Sequence, residues 1–144
     1  LLHLIFDSQW EDAMKPYMEV LSEYKDKGGI KTLGVSCHDY GAMETAVKCD
    51  WVDVLLARIN PKGVRCDGSA KEVLKVLRTG KKNGKFIIGM KIYGDGQLSD
   101  ERENCMKFAQ ECGVLDSMTI GINNLQQIDD NLNLFNKYLV SNSA

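Results

Sequence analysis

Residues 32–59 read TLGVSCHDYGAMETAVKCDWVDVLLARI, and this stretch decides the fold class. It opens on a short apolar run at 32–36, crosses a more polar segment at 39–49 and closes on a second apolar run at 52–59. Runs of that length are buried strands, and the segment between them is read as a helix. Further apolar runs stand at 1–6, 86–92 and 116–120. Between and after them, apolar residues recur every three or four positions, as at Trp10, Met14, Met18 and Leu21 and again at Ile128, Leu132, Phe135 and Leu139. That spacing predicts amphipathic helices. Val73, Leu74 and Leu77 give the segment 69–82 a buried stripe of the same kind.

Punctuation agrees. Gly28-Gly29, Asn83-Gly84 and Gly113 fall where helices must stop and turn toward the next strand, and Asp100 followed by Glu103 predicts a helix start. Strand beginnings recur about thirty residues apart, the length of a βα unit in a parallel sheet. Residues 1–144 thus read as a single α/β domain of five βα units with a parallel sheet. Periodicity alone leaves open a doubly wound sheet or a closed barrel. No G-x-G-x-x-G follows the first strands, which counts against a Rossmann module.

Composition narrows the function classes. With 44% hydrophobic and 26% charged residues the chain belongs among soluble globular domains. The formal net charge is -2 and the basic residues are scattered among acids, so nucleic acid is not an expected partner. No apolar run approaches the roughly 20 residues a membrane helix needs, and no membrane partner is expected. Leu1-Leu2-His3-Leu4-Ile5-Phe6 is too short for a signal peptide and lacks its basic flank. It resembles a strand entered midway, so truncation is expected: a missing N-terminal barrel half, or self-association, would complete the sheet. Cys37, Cys49, Cys66, Cys105 and Cys112 are odd in number and form no C-x-x-C pair. Neither a disulfide framework nor a zinc site follows, and a reducing, cytoplasmic setting fits.

In a parallel α/β sheet the chemistry gathers at the C-terminal strand ends. The first strand is expected to end near His3, and the second at Ser36-Cys37-His38. The third ends at Arg58-Ile59-Asn60-Pro61, the fourth at Met90-Lys91-Ile92-Tyr93-Gly94, and the fifth at Gly121-Ile122-Asn123-Asn124. His3 is either a general acid near neutral pH or a satisfied core histidine, and His38 carries the same two readings. Lys91 is either a Schiff-base nucleophile of a carbonyl lyase or a packed lysine with a paired charge. Arg58 either grips an anionic ligand or pairs with a structural acid such as Asp53 or Asp95. Cys49, Cys105 and Cys112 fill helical positions, which leaves Cys37 on the rim. No metal site is expected.

The sequence resembles the aldo-keto reductase superfamily over nearly all of its length, from the fourth strand of that family's (β/α)8 TIM barrel onward. The landmarks are Leu1-Leu2-His3, Gly34-Val35-Ser36-Cys37-His38, Asn60-Pro61, Gly89-Met90-Lys91 with Gly94-Asp95-Gly96, Thr119-Ile120-Gly121, and Gln126-Gln127-Ile128-Asp129-Asp130-Asn131. The resemblance implies a partial barrel and an NADP- or NAD-dependent oxidoreductase that reduces a small-molecule carbonyl to an alcohol by hydride transfer. It makes His3 the catalytic histidine. The family's tyrosine, lysine and aspartate have no counterpart at matching positions, so the chain alone is expected to be inactive. Ser36 is implied to bind the nicotinamide carboxamide, with Cys37 in place of the usual asparagine, Leu56 in place of a glutamine and Met90 in place of a stacking aromatic. Lys91 is implied to lie on the same cofactor. Gly121, Asn123, Gln127 and Asn131 fall where the family holds the adenine and ribose phosphate, and that loop has no Lys or Arg to select a 2′-phosphate. The alternative is a non-catalytic half-barrel binding or regulatory module.

Overall fold

In the computed structural model, which describes residues 1–139, the chain alternates as its pattern demands. The order is β1 (Leu2–Ile5), α1 (Trp10–Asp26), β2 (Gly34–Cys37), α2 (Tyr40–Ala46), β3 (Val54–Arg58) and α3 (Ala70–Lys82). There follow β4 (Phe86–Met90), two short 3-10 turns at Gly94–Gly96 and Ser99–Glu101, α4 (Arg102–Glu111), β5 (Ser117–Met118) and α5 (Leu125–Leu139). Gly28, Gly84 and Gly113, just past α1, α3 and α4, all have the positive φ of a helix-terminating glycine.

All neighbouring strands are parallel, and they lie side by side in the order of the sequence. A doubly wound sheet reverses its direction of growth at a switch point, and this one does not. Crossovers of one hand that always add the next strand on the same side leave the connecting helices on one face. The register shows the result. Val35, Cys37, Leu55, Ala57 and Ile87 are fully buried in one cluster with Trp10, Met43, Leu77 and Cys105 of the helices. Each large aliphatic side chain buried there contributes about 1.5–3 kcal/mol. The alternate residues Val54, Leu56 and Arg58 are half-buried and Phe86 is 46% exposed, while Ser36 and Met90 of the same alternation are buried.

One device recurs at the N-terminal end of the sheet. Asp53, just before β3, accepts the Leu33 N–H at 2.8 Å and Lys25 Nζ of α1 at 2.6 Å. Asp116, just before β5, accepts the Ile87 N–H at 2.7 Å and Lys81 Nζ of α3 at 2.5 Å. In each case one carboxylate fixes a strand entry and ties it to a helix.

Several boundaries differ from expectation. β1 does not end near His3 but runs to Ile5, with a register irregularity against β2 and Leu4 at φ 60. Such a bulge re-aims the side chains beyond it. β3 starts only after Asp53, whose carboxylate is spent on the clasp, and β5 keeps two residues because only β4 pairs with it. α2 stops at Ala46, short of Cys49. Asp100 and Glu103 do not cap α4: a 3-10 turn leads into Arg102 without a side-chain cap, and Glu103 instead accepts from Lys137 and Tyr138 of α5.

Candidate functional site

The segment that follows β4 is bent by an unusual run of backbone. Lys91, Gly94, Asp95 and Gly96 all have φ between 56° and 89°. For Lys91 and Asp95 the left-handed region costs roughly 1–2 kcal/mol each, and such residues cluster at functional sites. Asn60, buried at the end of β3, holds the bend in place. Its Nδ2 donates to the Lys91 carbonyl at 3.0 Å and the Val64 carbonyl at 2.7 Å, while its Oδ1 accepts the Lys62 and Val64 N–H groups. A Cβ at Gly94 would come within 2.9 Å of Val64, so glycine is needed there for both φ and space. Lys91 Nζ closes the turn on Asp95 Oδ1 at 2.7 Å.

Beside this bend opens a cleft of about 700 Å³ at the C-terminal ends of β4 and β5, within the usual range of about 300–1,000 Å³ for small-molecule sites. Met90, Lys91, Ile92, Tyr93, Asp95 and Gly96 line it after β4, Ser99 of the second 3-10 turn and Arg102 at the start of α4 add to it, and Thr119, Ile120, Gly121 and Asn123 line it after β5. Gln127 and Asn131 of α5 complete it. The polar groups are wired to one another. Tyr93 OH donates to Asn131 Oδ1 at 2.8 Å, and burial raises the Tyr93 phenol above its ordinary value. Arg102 Nη2 donates to Asp130 Oδ2 at 3.0 Å, and Gln126 Nε2 to Asp130 Oδ1 at 2.9 Å. Those bonds, that of Gln126 first, hold the Asp130 carboxyl below its usual range, as Lys91 does for Asp95. Asn124 Oδ1 accepts the Gln127 N–H and starts α5, and Gln127 Oε1 accepts the Asn123 N–H.

Met90, Lys91, Gly121, Asn123, Gln127 and Asn131, all expected to bind a cofactor, therefore meet in one place. His3, Ser36 and His38 form a second group on β1 and β2. The His3 and His38 rings are edge-on with centroids 5.8 Å apart, Phe6 lies 5.5 Å from His38, and Ser36 Oγ is 3.3 Å from His38 Nε2. β1 and β4 are three strand spacings apart, about 14 Å.

One expectation, Cys37, is corrected, and the structure decides between the two readings left open at His3, Arg58 and Lys91. His3 is exposed beside His38 and is not a core histidine. Cys37 is not on the rim: it is buried in the hydrophobic cluster, and burial, with Asp67 and Asp39 nearby, pushes its thiol up to about 12. Adjacent strand residues point to opposite faces, so the side chains of Ser36 and Cys37 cannot both reach one ligand. Ser36 itself is fully buried against His38. Arg58 pairs with neither Asp53 nor Asp95 but with Asp67, to which it donates through Nε and Nη2. Lys91 is ion-paired with Asp95 and a third exposed, which matches the packed lysine with a paired charge and not the desolvated amine of a Schiff-base nucleophile.

Arg102 and Ser99 were not foreseen in the cleft. Their segment gave no signal beyond a helix start, and no spacing rule joins Arg102 to Asp130 across 28 residues. The chain matches no protein-family model and no curated protein. Among the described residues no helix is long and apolar enough to cross a membrane.

Proposed function

We propose that the cleft between β4 and β5 binds a nicotinamide dinucleotide, NADP or NAD, and that the chain is part of an aldo-keto reductase-like oxidoreductase acting on a carbonyl substrate. The observation that carries this reading is convergence. Met90, Lys91, Gly121, Asn123, Gln127 and Asn131, singled out by resemblance, line one cleft at the C-terminal strand ends, where parallel α/β sheets bind ligands. The lining suits the ligand. Half-buried Ile120 offers apolar area to a planar ring, amides and hydroxyls offer hydrogen bonds, and nothing lies within 4 Å of the position a Gly121 Cβ would take, so the backbone there is open to a phosphate. A sheet that grows in one direction with its helices on one face also suits a (β/α)8 barrel, here in part. When bound, the cofactor supplies the hydride. The chain's own residues would bind and orient it, while His3 lies within β1, three strands away and exposed beside His38.

Isothermal titration calorimetry of the purified chain with NADH and NADPH tests the reading. Saturable binding is expected, weakened about tenfold in Asn131→Ala, the equivalent of one lost hydrogen bond to a buried group. Failure of both nucleotides to bind at millimolar concentration overturns it. A non-catalytic binding module built on the same cleft is the second reading. Carbonyl-dependent oxidation of NADPH or NADH by this chain would exclude that second reading.

A further inference from the structure

We infer that the Arg102–Asp130 pair decides which dinucleotide the cleft takes, admitting the 2′-hydroxyl form, NAD(H), over the 2′-phosphorylated form, NADP(H). The inference rests on the cofactor reading above and adds a specificity residue to it. The loop at 121–124 brings no Lys or Arg to the site, yet α4 delivers Arg102 to the cleft from a distant part of the sequence. Taken alone, that guanidinium would favour a phosphate. It does not stand alone.

Both cations lining the cleft are already matched. Lys91 is held by Asp95 at 2.7 Å and Arg102 by Asp130 at 3.0 Å. Asp130 is fixed at its other oxygen by Gln126 and kept ionised, so its charge is present throughout the neutral range. A ribose 2′-phosphate carries about -1.5 to -2 charges. Near Arg102 it must face the Asp130 carboxylate directly, or draw the guanidinium away and leave that carboxylate without its cation. Either course costs binding. A ribose 2′-hydroxyl meets no such conflict, because it can donate to Asp130 while Arg102 stays in place. The same carboxylate thus attracts one sugar and repels the other. Arg102 lines the cleft and Asp130 stands directly behind it, joined through that bond; at 31% and 33% side-chain exposure neither is sealed off.

The test is titration of the full chain with NADH and NADPH at one fixed low salt concentration, for wild type, Asp130→Asn and Arg102→Met, with circular dichroism on each. Wild type is expected to bind NADH at least about tenfold more tightly than NADPH. Asp130→Asn keeps the side-chain shape and removes the charge, so NADPH affinity is expected to rise about tenfold while NADH affinity stays level or falls. Arg102→Met leaves Asp130 uncompensated and is expected to widen the preference for NADH. If wild type binds NADPH as tightly as NADH, or if Asp130→Asn leaves the ratio unchanged, the inference is overturned and the cofactor reading stands. If neither nucleotide binds any folded variant, the cofactor reading falls and takes this inference with it.

Discussion

His38 directly follows β2 and packs beside His3 and Phe6, and its surroundings define a pH dependence. Burial first, then the Arg58 guanidinium, lowers its pKa from the ordinary 6.5; His3 and Lys91 act in the same direction and Asp67 against them. A histidine whose folded value is lowered takes up its proton more readily in the unfolded chain. Its contribution to stability is therefore complete above pH 6.5 and declines as the pH falls below it. The carboxylates Asp53, Asp95 and Asp130, lowered from 3.8, act in a different window: they stabilise above that value and lose the contribution only as the pH falls through their folded values. For Asp53 the Lys25 and Leu33 bonds outweigh a burial that works against ionisation. Calorimetric melting of wild type and His38→Gln at pH 7 and pH 5 separates the two. The wild type is expected to lose more of its melting temperature over that interval, and equal losses would assign the acid sensitivity elsewhere.

Among the elements, α3 has the most complete local instruction. Ser69 Oγ accepts the Glu72 N–H at 3.3 Å, and Glu72 Oε2 accepts the Ser69 N–H at 2.9 Å. This reciprocal box satisfies two donors at a helix start that have no partner within the helix. Ser69→Ala is expected to cost about 1 kcal/mol in urea unfolding without altering the slope of the transition. α1 shows the opposite balance. It has no side-chain cap and carries Pro16 inside it, and it is held by burial of Trp10, whose Nε1 donates to the Ala42 carbonyl at 3.3 Å. Tertiary contact there overrides a local defect worth up to about 3 kcal/mol.

For the molecule as a whole, the dominant feature is the asymmetry of the sheet. One face is sealed by helices, while the other leaves Phe86, Leu4 and Phe6 exposed, and β1 and β5 have unpaired edges. Contiguous apolar surface beside open strand edges drives association. Sedimentation velocity is expected to show concentration-dependent self-association, shifted toward smaller species by Phe86→Glu. A wild type that sediments as a monomer at every concentration would mean that this face tolerates water. The cleft lies beyond the C-terminal ends of β4 and β5 and is shaped by α4 and α5, so Phe86→Glu, at the other end of β4, is expected to leave nucleotide binding intact.

What the sequence determined by itself was local and periodic. The strand and helix alternation, the terminating glycines at 28, 84 and 113, and the parallel sheet follow from spacing and backbone sterics, which act over a few residues. Met90, Lys91, Gly121 and Asn123 of the cleft were legible because strand ends can be located by the same periodicity, whereas Gln127 and Asn131 came from the resemblance alone. That Ser36 and Cys37 face opposite ways was legible too, in the alternation of strand side chains. Tertiary structure alone decided the rest: Asp67 as the partner of Arg58, Asp130 as the partner of Arg102, the left-handed turn at Lys91 locked by Asn60, and the bulge that re-aims β1 beside His38. Each depends on two segments meeting in space. An ion pair or a buried amide leaves no periodic trace in the chain, because its geometry is set by packing between elements and not by position along one.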